Sequence, residues 1–181
     1  YRLAGRAAIA TLALMIAVCG AVDHAHRRGV IHRDLKPANI VVVPGAGPKI
    51  LDFGLARLVG PDGSDGASIR THQGEVIGTV GYMSPEQLSG DPRAIDTRVD
   101  VYALGVVMYE LLAGKPAYDV KSLSMVAALE AMRTTEPPAL GRIDPVLRGD
   151  IEAIVAKAME RNPDRRYASA SALADDIRRT L

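Results

Sequence analysis

The sequence predicts an α+β domain, mostly α, with a small β region early in the chain. Three observations carry this. Ala7 to Val22 is sixteen residues without a charge, bounded by Arg6 and Asp23, a length that suits a helix rather than a strand. A second apolar run, Val101-Tyr102-Ala103-Leu104-Gly105-Val106-Val107-Met108-Tyr109-Glu110-Leu111-Leu112, follows Asp100 and stops at Ala113-Gly114. Between the two, Ile40–Val43 and Lys49–Leu51 are β-branched or apolar runs on either side of Pro44-Gly45-Ala46-Gly47-Pro48, the composition of a hairpin.

The elements follow in order. The first run reads as a core helix, apolar on all sides. It falls short of the roughly 20 apolar residues a spanning helix wants, so no membrane segment is expected. Arg27-Arg28-Gly29 supplies basic residues at its last turn and a glycine past its end. His24 and His26 lie near that end without a metal-ligand set around them, and read as polar surface or helix-end residues. Val30-Ile31 is a short strand candidate. Residues 55–80 are mostly turn formers, clearest at Gly60-Pro61-Asp62-Gly63-Ser64-Asp65-Gly66, and are expected to be a long, mobile functional loop. Asp100 is placed to N-cap the second apolar helix and Gly114 to end it. Two largely buried helices pack most economically on each other. Ile151, Ile154, Val155, Ala158 and Met159 recur at helical spacing after Asp150. Ser169 can cap a last helix that buries Leu173, Ile177 and Leu181. With no internal repeat or low-complexity tail, residues 1–181 read as one domain.

Composition narrows the function classes. At 181 residues the chain can bury roughly 70% of its unfolded surface. A net charge of +1 gives no reason to expect nucleic acid or an anionic membrane as partner. Cys19 is the single cysteine, so no internal disulfide forms. A buried, inert thiol in a reduced, cytoplasmic compartment is the expectation. The chain opens on Tyr1-Arg2-Leu3 without methionine, basic leader or cleavage site, an opening not expected of a protein's natural start.

The chemistry sits in His32-Arg33-Asp34-Leu35-Lys36-Pro37-Ala38-Asn39 and, thirteen residues on, Asp52-Phe53-Gly54. Together they offer an acid that can accept a hydroxyl proton, a lysine for phosphate charge and two metal-ligand side chains. Phosphoryl transfer needs that inventory, because most of its catalysis is positioning and charge neutralisation. Turn or capping chemistry is the alternative account of Asp34, Asn39 and Asp52, and the weaker one beside the linked motifs. Three more blocks follow: Gly78-Thr79-Val80-Gly81-Tyr82-Met83-Ser84-Pro85-Glu86, Asp100–Gly105, and Asn162-Pro163-Asp164-Arg165-Arg166-Tyr167.

In this order, across essentially the whole chain, the blocks resemble the large helical C-terminal lobe of a eukaryotic-type protein kinase, most like the bacterial serine/threonine kinases. The resemblance implies a protein-kinase-like fold and transfer of the γ-phosphate of ATP, with Mg²⁺, to Ser/Thr hydroxyls of protein substrates. Asp34 would orient the substrate hydroxyl and Lys36 would neutralise the transferred phosphate. Asn39 and Asp52 would hold Mg²⁺. Val41 would lie under the adenine. Gly54 would permit the turn after the metal ligand, and His32 and Phe53 would couple these loops to the core. Lysine at position 36 and Thr79, which would bond near Asp34 and Lys36, point to serine/threonine rather than tyrosine substrates. Arg33 would pair with a phosphate on the activation loop, for which Thr71 is the first candidate, ahead of Ser64 and Ser68. Self-association would accompany autophosphorylation there. Glu86 would form a buried pair with Arg166, and Asp100 would bond the backbone around His32 and Arg33.

Two features depart from the family pattern. Ser84 stands where alanine is usual. No G-x-G-x-x-G occurs upstream of residue 32, so the N-terminal lobe, with its strand lysine and helix glutamate, is expected to be absent and this polypeptide alone to transfer negligible phosphate. The alternative is a catalytically inactive, kinase-like docking module. A membrane-anchored fragment through residues 7–22 is opposed by the short apolar run.

Overall fold

A computed structural model describes the backbone of residues 2–53 and 78–181, with side chains from residue 5 onward in those spans. Helix α1 spans Arg2–His26. Its inner stripe of Ala8, Leu12, Met15, Val18, Cys19 and Val22 is buried at helical spacing. Its outer stripe of Ala7, Ala10, Ala13, Ala17 and Gly20 is exposed. The helix is therefore half-buried and not enclosed on all sides. Beyond Arg6 this stripe carries no charge until the last turn, and its small residues expose little apolar area. The expectation that it is too short for a membrane also needs correction, since Gly5–His26 is long and apolar enough to span one by length and composition. Here Leu12, Met15, Val18 and Val22 pack into the core, while Ile9 stays exposed. Gly29, at φ 75°, turns the chain out of the helix.

Val30 and Ile31 form no strand; among the described residues they have no ladder partner. A 3-10 turn at Pro37–Asn39 leads into the hairpin of β1 (Ile40–Val43) and β2 (Gly47–Ile50). The strands are antiparallel, with Ile40 opposite Ile50, Val41 opposite Lys49 and Val43 opposite Gly47. β2 thus begins two residues earlier than the apolar run suggests and ends before Leu51. The three-residue turn Pro44-Gly45-Ala46 relies on left-handed Gly45, at φ 77°, a conformation L side chains resist. Gly54, Ser64, Ser68 and Thr71 lie outside the described residues, as does most of the expected loop. At its far end, residues 78–80 are helical rather than looped.

Helix α2 (Pro85–Ser89) is short and fully capped. Ser84 Oγ accepts from the Gln87 N–H, and Gln87 Oε1 accepts from the Ser84 N–H at 3.0 Å. This capping box gives the serine at that position a use that alanine could not supply. Helix α3 spans Arg98–Ala113. Thr97 is its N-cap residue, and Asp96 Oδ1 accepts from the Arg98 N–H at 2.7 Å. Asp100 is therefore not the cap; it lies in the first turn with its carboxylate committed elsewhere. Every residue from Val99 to Tyr109 is buried, and Gly114 ends the helix at φ 66°.

Helices α4 (Met125–Thr134), α5 (Leu140–Ile143), α6 (Asp150–Ala158) and α7 (Ala170–Arg179) complete the chain. α1 packs on α7, α3 and the hairpin, and α3 packs on α6. At the α3–α6 crossing Gly105 has no room for a methyl group: a Cβ there would lie 2.8 Å from Ala158 Cβ. Ser169 caps α7 by accepting from the Ala172 N–H at 3.1 Å. Leu173 and Ile177 are buried, whereas Leu181 lies past the helix end and is exposed. Leu12, Met15, Leu104, Met108, Leu173 and Ile177 are among the largest fully buried side chains, each worth about 1.5–3 kcal/mol of burial.

Candidate active site

The segment from His32 to Asn39 leaves α1 and wraps over the N-terminal turn of α3. Asp100, fully buried, fixes its start. Its Oδ2 accepts from the His32 N–H at 2.8 Å, and its Oδ1 accepts from the Arg33 N–H at 2.8 Å. Arg33 is left-handed, φ 66°, a region that costs a non-glycine residue about 1–2 kcal/mol. Gln87 Nε2 holds the same turn from the other side by donating to Arg33 O at 2.7 Å.

His32 ties this segment to the next loop. Its Nδ1 accepts from the Asp34 N–H at 3.3 Å, so its Nε2 carries the proton donated to Leu51 O at 2.8 Å. The ring also meets Phe53 edge-on, with centroids 4.8 Å apart. A backbone bond from Leu51 N–H to Asn39 O, 2.9 Å, joins the two loops a second time. Asp52 therefore follows directly from a residue pinned twice. It is exposed and left-handed, φ 58°, a conformation Asp tolerates better than most residues.

Four side chains converge at the centre. Asp34 Oδ2 accepts from Lys36 Nζ at 3.0 Å and from Asn39 Nδ2 at 3.2 Å. Asn39 Nδ2 also donates to Asp34 O at 2.7 Å. Lys36 Nζ reaches on to Thr79 Oγ1 at 3.0 Å, across forty-three residues of sequence. Asp34 and Lys36 are partly exposed, at 33% and 24% of their side chains, so a reactant can reach them. Val41 is 41% exposed on β1, an open apolar surface beside this group in the chain. Arg33 is exposed, and its guanidinium is not part of the cluster.

Behind the cluster stands a buried pair. Arg166 Nη1 donates to Glu86 Oε1 at 2.5 Å and Nη2 to Glu86 Oε2 at 2.8 Å. The same guanidinium donates to Glu160 O, Arg98 O and Arg161 O and lies over the Tyr102 ring, 4.9 Å from its centroid. All five N–H groups are used. Tyr82 donates to Glu110 Oε2 at 2.5 Å, anchoring the loop after Thr79 to α3; burial, then that carboxylate, push the phenol well above its ordinary value.

The sequence reading missed three of these contacts: His26 on Asp100, Gln87 on Arg33 and Tyr82 on Glu110. His26 is the last residue of α1 but not a surface one. Its Nε2 lies 2.7 Å from Asp100 Oδ2, and its side chain is 6% exposed. The one available signal was an apolar helix that ends in a histidine six residues before the motif.

Comparison with known proteins agrees with this geometry. The family model for the protein kinase domain matches residues 7–177, and the chain belongs to that family. It is 41% identical over 168 residues to the probable serine/threonine-protein kinase PknB of Corynebacterium glutamicum, covering 92% of this chain and 25% of that protein. It is 39% identical over 159 residues to the serine/threonine-protein kinase PknB of Mycobacterium tuberculosis, covering 88% and 24%. The chain thus spans about a quarter of the length of these curated relatives. Among solved structures, the kinase domain of PknI from M. tuberculosis superposes with a TM-score of 0.67 at 29% identity, over 94% of this chain and 54% of that one. The fold is protein-kinase-like, mostly helical with one two-stranded antiparallel sheet among the described residues.

Proposed function

We propose that the chain is the C-terminal catalytic lobe of a serine/threonine protein kinase, transferring the γ-phosphoryl group of ATP to Ser or Thr hydroxyls of proteins. The observation that carries the reading is the convergence of Asp34, Lys36 and Asn39, with Lys36 reaching Thr79. In support of the lobe assignment, the chain matches about half of a solved kinase domain.

In this reading Asp34 accepts or orients the proton of the acceptor hydroxyl, and the bonds from Lys36 and Asn39 fix the direction of its carboxylate. General-base positioning of this kind contributes about 10²–10⁴ in rate. Lys36 supplies charge to the phosphoryl group in flight, and its bond to Thr79 ties the loop that would dock the peptide to the catalytic loop. Thr79 and Lys36 together favour Ser/Thr acceptors. Mg²⁺, when bound, neutralises and orients the ATP phosphates. The donor set fits it: Asn39 spends its amide nitrogen on Asp34, which leaves the amide oxygen as a hard donor, and Asp52 offers an exposed carboxylate. Among the described residues no cluster of three His, Cys, Asp or Glu side chains forms a site. That suits an ion that takes one or two protein oxygens and completes its shell with phosphates and water. Val41 offers apolar surface to the adenine.

The remaining roles belong to the same proposal. Arg33, exposed, would pair with a phosphate on the activation segment, with Thr71 the leading acceptor and a second copy of the kinase the natural donor. A reducing, cytoplasmic setting fits the buried single cysteine. The test is isotope transfer from [γ-³²P]ATP by the full-length protein, followed by phosphoamino-acid analysis. Label on serine and threonine is expected. Label confined to tyrosine, or none, overturns the reading.

A further inference from the structure

Gln87 divides its side-chain amide between two segments. Its Oε1 accepts from the Ser84 N–H at 3.0 Å and from the Ser84 hydroxyl at 3.2 Å. Ser84 is fully buried, and its two donors fix which way the amide faces. The nitrogen is thereby turned to the 32–39 segment, where it donates to Arg33 O at 2.7 Å. The cap of α2 needs only the oxygen. Glutamate completes a capping box as well as glutamine does, and its charge suits a helix N-terminus better. Glutamine adds one thing, an N–H, and Arg33 O receives it. Arg33 is left-handed, φ 66°, with its own N–H held by Asp100 Oδ1. Its carbonyl belongs to the peptide plane that leads into Asp34.

We infer that Gln87 is a positioning residue for phosphoryl transfer: its Nε2–H bond sets the plane of the 33–34 peptide, and through it the direction of Asp34. The inference rests on the kinase reading and adds to it a tie between the loop after Thr79, which ends at α2, and the segment that carries the base. Without the amide nitrogen Arg33 O turns to water, since the bond lies at the surface. The 33–34 peptide is then free to rotate. The Asp34 N–H loses its line to His32 Nδ1, 3.3 Å away, and the carboxylate beyond it loses its aim. Water replaces the lost partner, so the loss falls on geometry rather than on stability.

Two variants of the full-length protein separate the aim from the cap. Gln87→Glu keeps an oxygen to accept from Ser84 and turns a second oxygen, not a donor, to Arg33 O. Ser84→Ala removes the hydroxyl from the cap and leaves the Gln87 nitrogen in place. Three readouts are taken: kcat against KM for ATP, amide hydrogen exchange of the peptide containing residues 32–36, and the melting temperature. In Gln87→Glu kcat falls about tenfold, the scale of a slightly misplaced reacting group, while KM changes by less than about threefold. Exchange at residues 32–36 rises about tenfold as the turn loosens, and the melting temperature stays within about 2 °C. In Ser84→Ala the melting temperature falls by about 2–4 °C with the weakened cap, and kcat stays within about twofold. Wild-type kcat and exchange in Gln87→Glu overturn the inference. So does a kcat that follows the melting temperature in both variants, the mark of a merely structural role. If Gln87→Glu does not fold, Gln87→Met, of the same length and with neither the oxygen nor the nitrogen, carries the test with the same expected fall in kcat. A wild-type protein without phosphotransfer overturns the kinase reading, a result separate from the exchange data, which decide in either case whether Gln87 holds the turn.

Discussion

Replacing Arg166 by lysine keeps the charge and removes the fork. The guanidinium donates five hydrogen bonds, two to the Glu86 carboxylate and three to the carbonyls of Glu160, Arg98 and Arg161. An ammonium has three donors at a single point, so at least two of those five acceptors lose their partner in a buried site. Each orphaned group costs about 1–3 kcal/mol, giving about 2–6 kcal/mol, a range that brackets the 3–5 kcal/mol typical of breaking a buried pair. The guanidinium's cation–π contact with the Tyr102 ring, 4.9 Å from its centroid, is changed as well. A value near 4 kcal/mol lowers the melting temperature by about 8–16 °C for a domain of this size. Differential scanning calorimetry of Arg166→Lys against wild type reads this directly. A variant within about 1 kcal/mol of wild type would refute the reasoning, because the pair would then behave like an exposed one.

Other expectations follow from single features. Gly105→Ala should destabilise by about 1–3 kcal/mol through overpacking, since its Cβ would meet Ala158 Cβ at 2.8 Å and Met159 Cγ at 2.9 Å; the urea midpoint checks it, and an unchanged midpoint would contradict the α3–α6 approach. Cys19, fully buried, has its thiol pushed up to about 12 by burial, so an aromatic disulfide reagent at pH 8 should leave it unmodified in the folded protein and titrate it once unfolded. Asp176 is held below its ordinary value of 3.8 by the Tyr167 hydroxyl and then by Arg179. A depressed carboxylate stabilises the fold above its unfolded pKa, and that contribution fades as pH falls through the folded value. Asp176→Asn should therefore flatten the loss of stability below about pH 4, measured by denaturant midpoints across the acid range.

The candidate cluster was legible because its members are close in sequence: Asp34, Lys36 and Asn39 lie within six residues, and Asp52 follows one hairpin later. The Glu86–Arg166 pair was legible only through the family resemblance, since eighty residues separate its partners. Cap logic failed at Asp100 for a physical reason. An aspartate before an apolar run reads as an N-cap, but this carboxylate accepts from the His32 and Arg33 amides, and Asp96 serves the start of α3 one turn earlier. β2 starts at Gly47 because the register of β1, not the apolarity of Lys49–Leu51, sets its length. The solvent face of α1 was hidden by composition: alanine and glycine count as apolar and yet lose little when exposed. His26 was illegible because its partner is seventy-four residues away.

The central claim is that Asp34 is the base that Lys36, Asn39 and the Asp100 clamp hold in place. It is tested most directly by the turnover of Asp34→Asn in the full-length protein at saturating Mg²⁺ and ATP, where nucleotide binding no longer limits the rate. The account predicts a fall of about 10²–10⁴ in kcat with the fold intact. A variant that turns over at the wild-type rate would contradict it.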